Sequence, residues 1–155
     1  MKQAVFVILD EFADWEGAYL SSTLNQDPSW EVKTASTMQE VVSIGGFKTV
    51  VDYKLEQIPT VCELLILIGG NSRQIKNSVL KRLIKERLAN NKFVGAICGA
   101  VDYLAKNGLL TDFRHTGNAL YLWKDFDQYQ NKSDFLEEQA VHDHNLVTAN
   151  GTAPL

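Results

Sequence analysis

Cysteine is scarce in this chain of 155 residues: there are two, Cys62 and Cys98. They form no CxxC pair and have no histidine at zinc-site spacing, which sets aside a disulfide-stapled secreted scaffold and a structural zinc module. Positive charge is also short. Lys and Arg number 15 against 19 Asp and Glu, a net charge of −4, and the pI is near 5.3. The only basic cluster, Lys81, Arg82 and Lys85, has the spacing of a solvated helix face, so nucleic acid is not an expected partner. No apolar run reaches membrane-spanning length, and the run entered from Met1-Lys2-Gln3 is too short for a secretory leader and lacks a cleavage pattern. The expectation is a cytoplasmic protein with no membrane partner. No internal repeat, low-complexity tract or linker interrupts the chain, which reads as one domain over 1–155.

What is present alternates between strand and helix signals. Val5–Leu9 and Leu64–Ile68 are continuous apolar runs of the kind that form strands buried on both faces. Trp30–Ala35 alternates as a strand. Val41–Ile44, Gly45-Gly46 and Phe47–Val51 read as a small β-hairpin. Trp15–Leu24 reads as a helix with Trp15, Ala18, Tyr19 and Ser22 on one side. Val79, Leu80, Leu83, Ile84 and Leu88 mark a second helix. Phe93–Ile97 is a further strand, and the helix after it stops at Asn107-Gly108. The aromatic-rich stretch 119–138 is expected to be partly helical. Val141 and Leu146–Ala149 read as a late strand pair joined through Asp143-His144-Asn145. The sum is an α/β fold with a mainly parallel sheet. After Leu146–Ala149, Asn150-Gly151-Thr152 resembles a helix entry, but the chain stops at Leu155. A covering helix is therefore expected to be missing, through truncation or because a partner supplies the cover.

Cys98 stands at the end of a strand and the start of a helix, where ligands gather in open parallel sheets. Ala96-Ile97-Cys98-Gly99-Ala100 has the small flanking residues that a nucleophile elbow demands. A helix N-terminus carries roughly half a positive charge, which favours thiolate. A low thiol pKa is the resulting expectation. The competing reading, a packed structural thiol, suits Cys62 better, because Cys62 precedes a buried strand.

These stretches resemble the ThiJ/PfpI family, within the class I glutamine amidotransferase-like superfamily. Val7-Ile8-Leu9 with Asp14-Trp15-Glu16-Gly17 resembles its first strand and acidic residue. Leu67-Ile68-Gly69-Gly70-Asn71 resembles its Gly-Gly turn, and Ala96–Ala100 running on to Leu110 resembles its elbow and following helix. The resemblance implies a flavodoxin-like three-layer sandwich, usually a homodimer. It implies Cys98 as nucleophile, Glu16 as its carboxyl partner with a raised pKa, and an oxyanion site of backbone N–H groups near Gly70 and Gly99. It implies no external cofactor.

The third catalytic position departs from better-known members. Some place His directly after the cysteine, where this chain has Gly99. Others place His in a short strand after the elbow helix. Aligned from Leu109-Leu110, Asn118 falls at that place and His115 lies three residues earlier. Either His115 reaches the thiol by another route or Asn118 polarises the site; a surface or packing role for His115 is the alternative. His142 and His144 lack the following Glu that a glutaminase needs, and also lack metal-ligand spacing. The functions left standing are three. One is a cysteine-dependent hydrolase or lyase, of glyoxalase or deglycase type, acting on reactive carbonyls or related small molecules. The others are a redox or stress-response sensor at the same cysteine, and a binding domain with a vestigial site. Glutamine amidotransferase and peptidase activities are weaker readings.

Overall fold

The computed structural model describes residues 1–72 and 75–152. The chain begins with β1 (Lys2–Val7), α1 (Asp14–Gln26) and β2 (Trp30–Ser36). The hairpin follows as β3 (Glu40–Val42) and β4 (Lys48–Val50), then the short β5 (Tyr53–Lys54). β6 (Leu64–Leu67), α2 (Ser78–Ala89), β7 (Phe93–Ile97) and α3 (Gly99–Lys106) complete the alternating part. β8 (Ala140–Asp143) and β9 (Leu146–Ala149) close the sheet. Its seven strands run β5-β2-β1-β6-β7-β9-β8. Every pairing is parallel except β8 with β9. The α/β flavodoxin-like expectation holds, with the hairpin as a separate two-stranded ribbon.

Period-two alternation explains why the central strands read as unbroken apolar runs, since both faces are covered. Val5, Val7, Leu65, Leu67, Val94 and Ala96 face one core, which α2 closes with Leu80 and Ile84 and α3 with Val101 and Leu104. Ala4, Phe6, Ile8, Ile68 and Ile97 face the other, where Leu20 and Leu24 of α1 pack. The second core is the thinner: Leu64, Ile66 and Ala149 stay half-buried on it. Residues 151 and 152 form a turn, and the expected helix entry beyond them lies outside the described residues.

The α1 side carrying Trp15, Ala18, Tyr19 and Ser22 faces solvent, with Tyr19 67% exposed. The helix packs instead through Glu16, Gly17, Leu20 and Leu24, because a Cβ at Gly17 would come within 2.9 Å of Ile68 and a close helix–sheet approach follows. The stretch 119–138, expected to be partly helical, carries the 3₁₀ turns Leu120–Trp123 and Lys132–Asp134. Tyr129 and Phe135 from it pack edge-on against Trp123. Trp123 is buried and donates its indole N–H to Asp102 at 2.7 Å; truncating so large a buried ring costs roughly 3–5 kcal/mol. No helix among the described residues is long and apolar enough to cross a membrane.

Candidate functional site at the Cys98 elbow

The carboxyl ends of β1, β6 and β7 lie side by side, and three backbone devices converge there. The first is the elbow. Cys98 caps α3 with φ 58 and ψ −123, a left-handed conformation unusual for a side-chain-bearing residue. Its N–H donates to the Ala149 carbonyl at 2.9 Å, and its carbonyl accepts from Val101 at 3.0 Å, so β9 and the first turn of α3 hold the strained turn from both sides.

The second device is the Gly69-Gly70 turn. Gly69 N–H donates to Glu16 Oε1 at 2.9 Å, while the Gly69 carbonyl accepts from Ala13 N–H at 3.0 Å. Gly69, through the two peptides that flank it, thus ties the end of β6 to the start of α1 and holds the Glu16 carboxylate at the strand ends. A Cβ at Gly69 would lie 2.7 Å from Glu16 Oε1 and 2.8 Å from both Gly99 N and Ile97 O. Only glycine lets the two turns touch. Gly70 has φ +152, and a Cβ there would collide with the Glu11 carbonyl.

The third device is the segment after α3. Thr116 N–H donates to Thr148 Oγ1 at 2.9 Å and Thr116 Oγ1 to the Glu138 carbonyl at 2.8 Å, laying the segment along β9. Asn118 then reaches the elbow. Its Nδ2 donates to Cys98 Sγ at 3.1 Å, and its Oδ1 accepts from Gly151 N–H at 2.7 Å. The backbone donor at Gly151 fixes which end of the amide meets the sulfur.

Cys98 Sγ is half-buried between the Glu16 carboxyl, the Gly99 N–H and the Asn118 amide. Burial pushes its pKa above the usual thiol value, and the negative Glu16 pushes the same way. The Asn118 and Gly99 donors pull it back down without overcoming burial. Burial and the neighbouring carboxylate thus work against the low-pKa thiol expected at a helix N-terminus. A thiol of this kind keeps its proton at neutral pH and needs an acceptor at hand when it attacks.

Of the predicted residues, the structure brings Cys98, Glu16, Gly99 and Asn118 together, with Gly70 on the adjoining turn. It places His115 elsewhere. The imidazole is fully buried, Nδ1 bonds with the Phe113 carbonyl and Nε2 with the Tyr129 hydroxyl, both at 2.7 Å. Trp123, Tyr129 and Phe135 surround the ring. With both nitrogens occupied inside an aromatic cluster, His115 is a packing residue and not a partner of the thiol. Gly69 and Gly151 are the site residues that sequence reasoning missed. Gly69 was visible as the first half of the Gly-Gly turn; Gly151 was hidden in what looked like a helix entry. Cys62 is buried, and Arg87 Nη1 donates to its carbonyl and its sulfur at 3.0 and 3.2 Å. That is the structural thiol expected of it. Among the described residues there is no cluster of His, Cys, Asp and Glu able to hold a metal.

The DJ-1/PfpI family model matches residues 2–155. A Bacillus subtilis (strain 168) protein described as "Uncharacterized protease YdeA" is 56% identical over 155 residues, covering 100% of this chain and 79% of that protein. Among solved structures, the thiJ/pfpI family protein from Bacillus anthracis superposes with a TM-score of 0.92 at 32% identity, covering 99% of this chain and 77% of that one. The DJ-1 superfamily protein Atu0886 from Agrobacterium tumefaciens gives 0.91 at 30% identity, over 99% and 84%.

Proposed function

Because this chain belongs to the DJ-1/PfpI family, we propose that it works through Cys98 as a thiol nucleophile toward reactive carbonyl or related small molecules. The observation that carries the reading is the three-sided grip on Sγ by Glu16, Gly99 and Asn118. A merely packed thiol has no need of a carboxylate and two N–H donors at one sulfur. In the step we propose, sulfur attacks the carbonyl carbon and the carbonyl π pair moves onto oxygen. The proton leaving sulfur passes to the Glu16 carboxylate and from there to that oxygen, giving a neutral hemithioacetal with no outside reagent. The Gly70 and Gly99 N–H groups are the proposed donors to the transient oxyanion. Turnover of glyoxalase or deglycase type would then rearrange or hydrolyse the adduct. A homodimer in the cytoplasm remains part of this proposal.

A second reading draws on the same donors. The Asn118 and Gly99 N–H groups would equally hold the oxygens of an oxidised sulfur, so a non-enzymatic stress-response role as an oxidation sensor competes with turnover. The protease description of the Bacillus relative extends less well. The usual cysteine-protease arrangement pairs the thiol with a His that carries the proton to the leaving amine, and here His115 is engaged in the aromatic cluster.

Purified protein with Cys98 shown reduced should consume methylglyoxal, and Cys98→Ala should not. No consumption by the reduced protein overturns the carbonyl reading. Selective addition of oxygen at Cys98 under mild peroxide, seen by mass spectrometry, then supports the sensor.

A further inference from the structure

One residue close to the sulfur, Gly151, lies on neither the elbow nor the Gly69-Gly70 turn. A Cβ built on Gly151 would stand 3.3 Å from Cys98 Sγ and 3.1 Å from Asn118 Oδ1. Both are closer than ordinary van der Waals contact, so the backbone of Gly151 lies directly against the thiol. Gly151 N–H also holds the Asn118 amide at 2.7 Å, and that amide leans on the sulfur at 3.1 Å. Glu16 and the Gly99 N–H take other sides of the sulfur. Gly151 and Asn118 are the exposed pair of the set, whereas Glu16 and Gly99 are buried. Among the described residues, Gly151 and Asn118 are thus the solvent-facing neighbours of the sulfur.

We propose that Gly151, together with the Asn118 amide it locks, is the specificity-determining rim of the site: it sets how bulky an electrophile can reach Cys98. The missing Cβ leaves room for a narrow reacting carbon, such as that of a small unbranched aldehyde, and any side chain at 151 would close that room. The pair also couples shape to orientation, because what crowds the sulfur at 151 also pushes on the amide oxygen. The assignment rests on the nucleophile reading for its meaning in turnover. Its geometry can be tested without turnover.

The test uses two alkylating agents with one reactive carbon and different bulk, iodoacetamide and N-phenyl-iodoacetamide. Sulfur displaces iodide in both cases, and peptide mapping assigns the label to Cys98. The readout is the ratio of their rate constants, which cancels any change in thiol basicity. Gly151→Ala should lower the bulky-to-small ratio by about tenfold, as overpacking by one methyl group does. Asn118→Ala should shift the ratio the other way, and this second variant keeps the test decisive if Gly151→Ala does not fold. Equal slowing of both reagents in Gly151→Ala, or an unchanged ratio in both variants while Cys98 is still labelled, overturns the rim and leaves the nucleophile intact. Failure of iodoacetamide to label Cys98 in the unmodified protein overturns the nucleophile reading and the rim with it.

Discussion

Replacing Glu16 by Gln should make Cys98 more reactive toward alkylation while weakening any turnover. Glu16 is 4% exposed and its Oε1 accepts the Gly69 N–H. Glutamine keeps that acceptor and the shape but removes the charge. A carboxylate in hydrogen-bond contact with a thiol raises the thiol's pKa both by its charge and by its bond to the protonated form. At a separation of ~4 Å and an effective dielectric of ~20, the charge alone is worth about 4 kcal/mol against thiolate. Cys98 is half-exposed, so solvent screening leaves about 1–2 kcal/mol of that, a factor of about 5–30 in thiolate population. The rate of iodoacetamide labelling at pH 7 should therefore rise by about tenfold in Glu16→Gln. Consumption of a carbonyl substrate should fall in the same variant, because the proton acceptor has gone. Slower or unchanged alkylation would refute the reasoning: the carboxylate would then not be acting on the sulfur as a like charge.

Two further outcomes separate the structural from the chemical residues. Gly69→Ala should destabilise the protein by about 1–3 kcal/mol, since two of the three atoms its Cβ would strike are backbone of the elbow; a urea midpoint unchanged from the parent would contradict the packing of the two turns. His115 is held neutral, with burial depressing its pKa from the ordinary 6.5. The unfolded chain therefore binds the proton first, and stability should be greatest above pH about 6.5 and decline as pH falls below it. His115→Gln should flatten that decline, lower stability by about 1–3 kcal/mol through the stranded Tyr129 hydroxyl, and leave Cys98 alkylation within about twofold of the parent; a large loss of Cys98 reactivity would restore His115 to the site.

The legibility of this chain follows how local each signal is. The apolar runs of β1, β6 and β7 are visible because both faces of a central strand are buried, and Ala96–Ala100 is visible because an elbow constrains its immediate neighbours. Asn118 could be placed by counting from Leu109-Leu110, although its partner could not. Gly151 acts at a distance of 33 residues from the amide it fixes, and neither position carries a local mark of that bond. His115 is the opposite case. Histidine near a cysteine-bearing helix reads as chemistry, and only the convergence of Trp123, Tyr129 and Phe135 around the ring shows it to be core. A helix N-terminus is legible in sequence, whereas the burial and the nearby Glu16 that push the Cys98 thiol up are tertiary facts.

The backbone of Cys98 has a consequence of its own. A side chain at φ 58 and ψ −123 stores on the order of 1–3 kcal/mol that glycine would release. The fold thus holds strain at the position proposed to carry the chemistry. What resists relaxation is the bond from Cys98 N–H to Ala149, the last residue of β9. The elbow's conformation is thus tied to the end of a different strand, and loosening β9 is expected to relax the Cys98 turn.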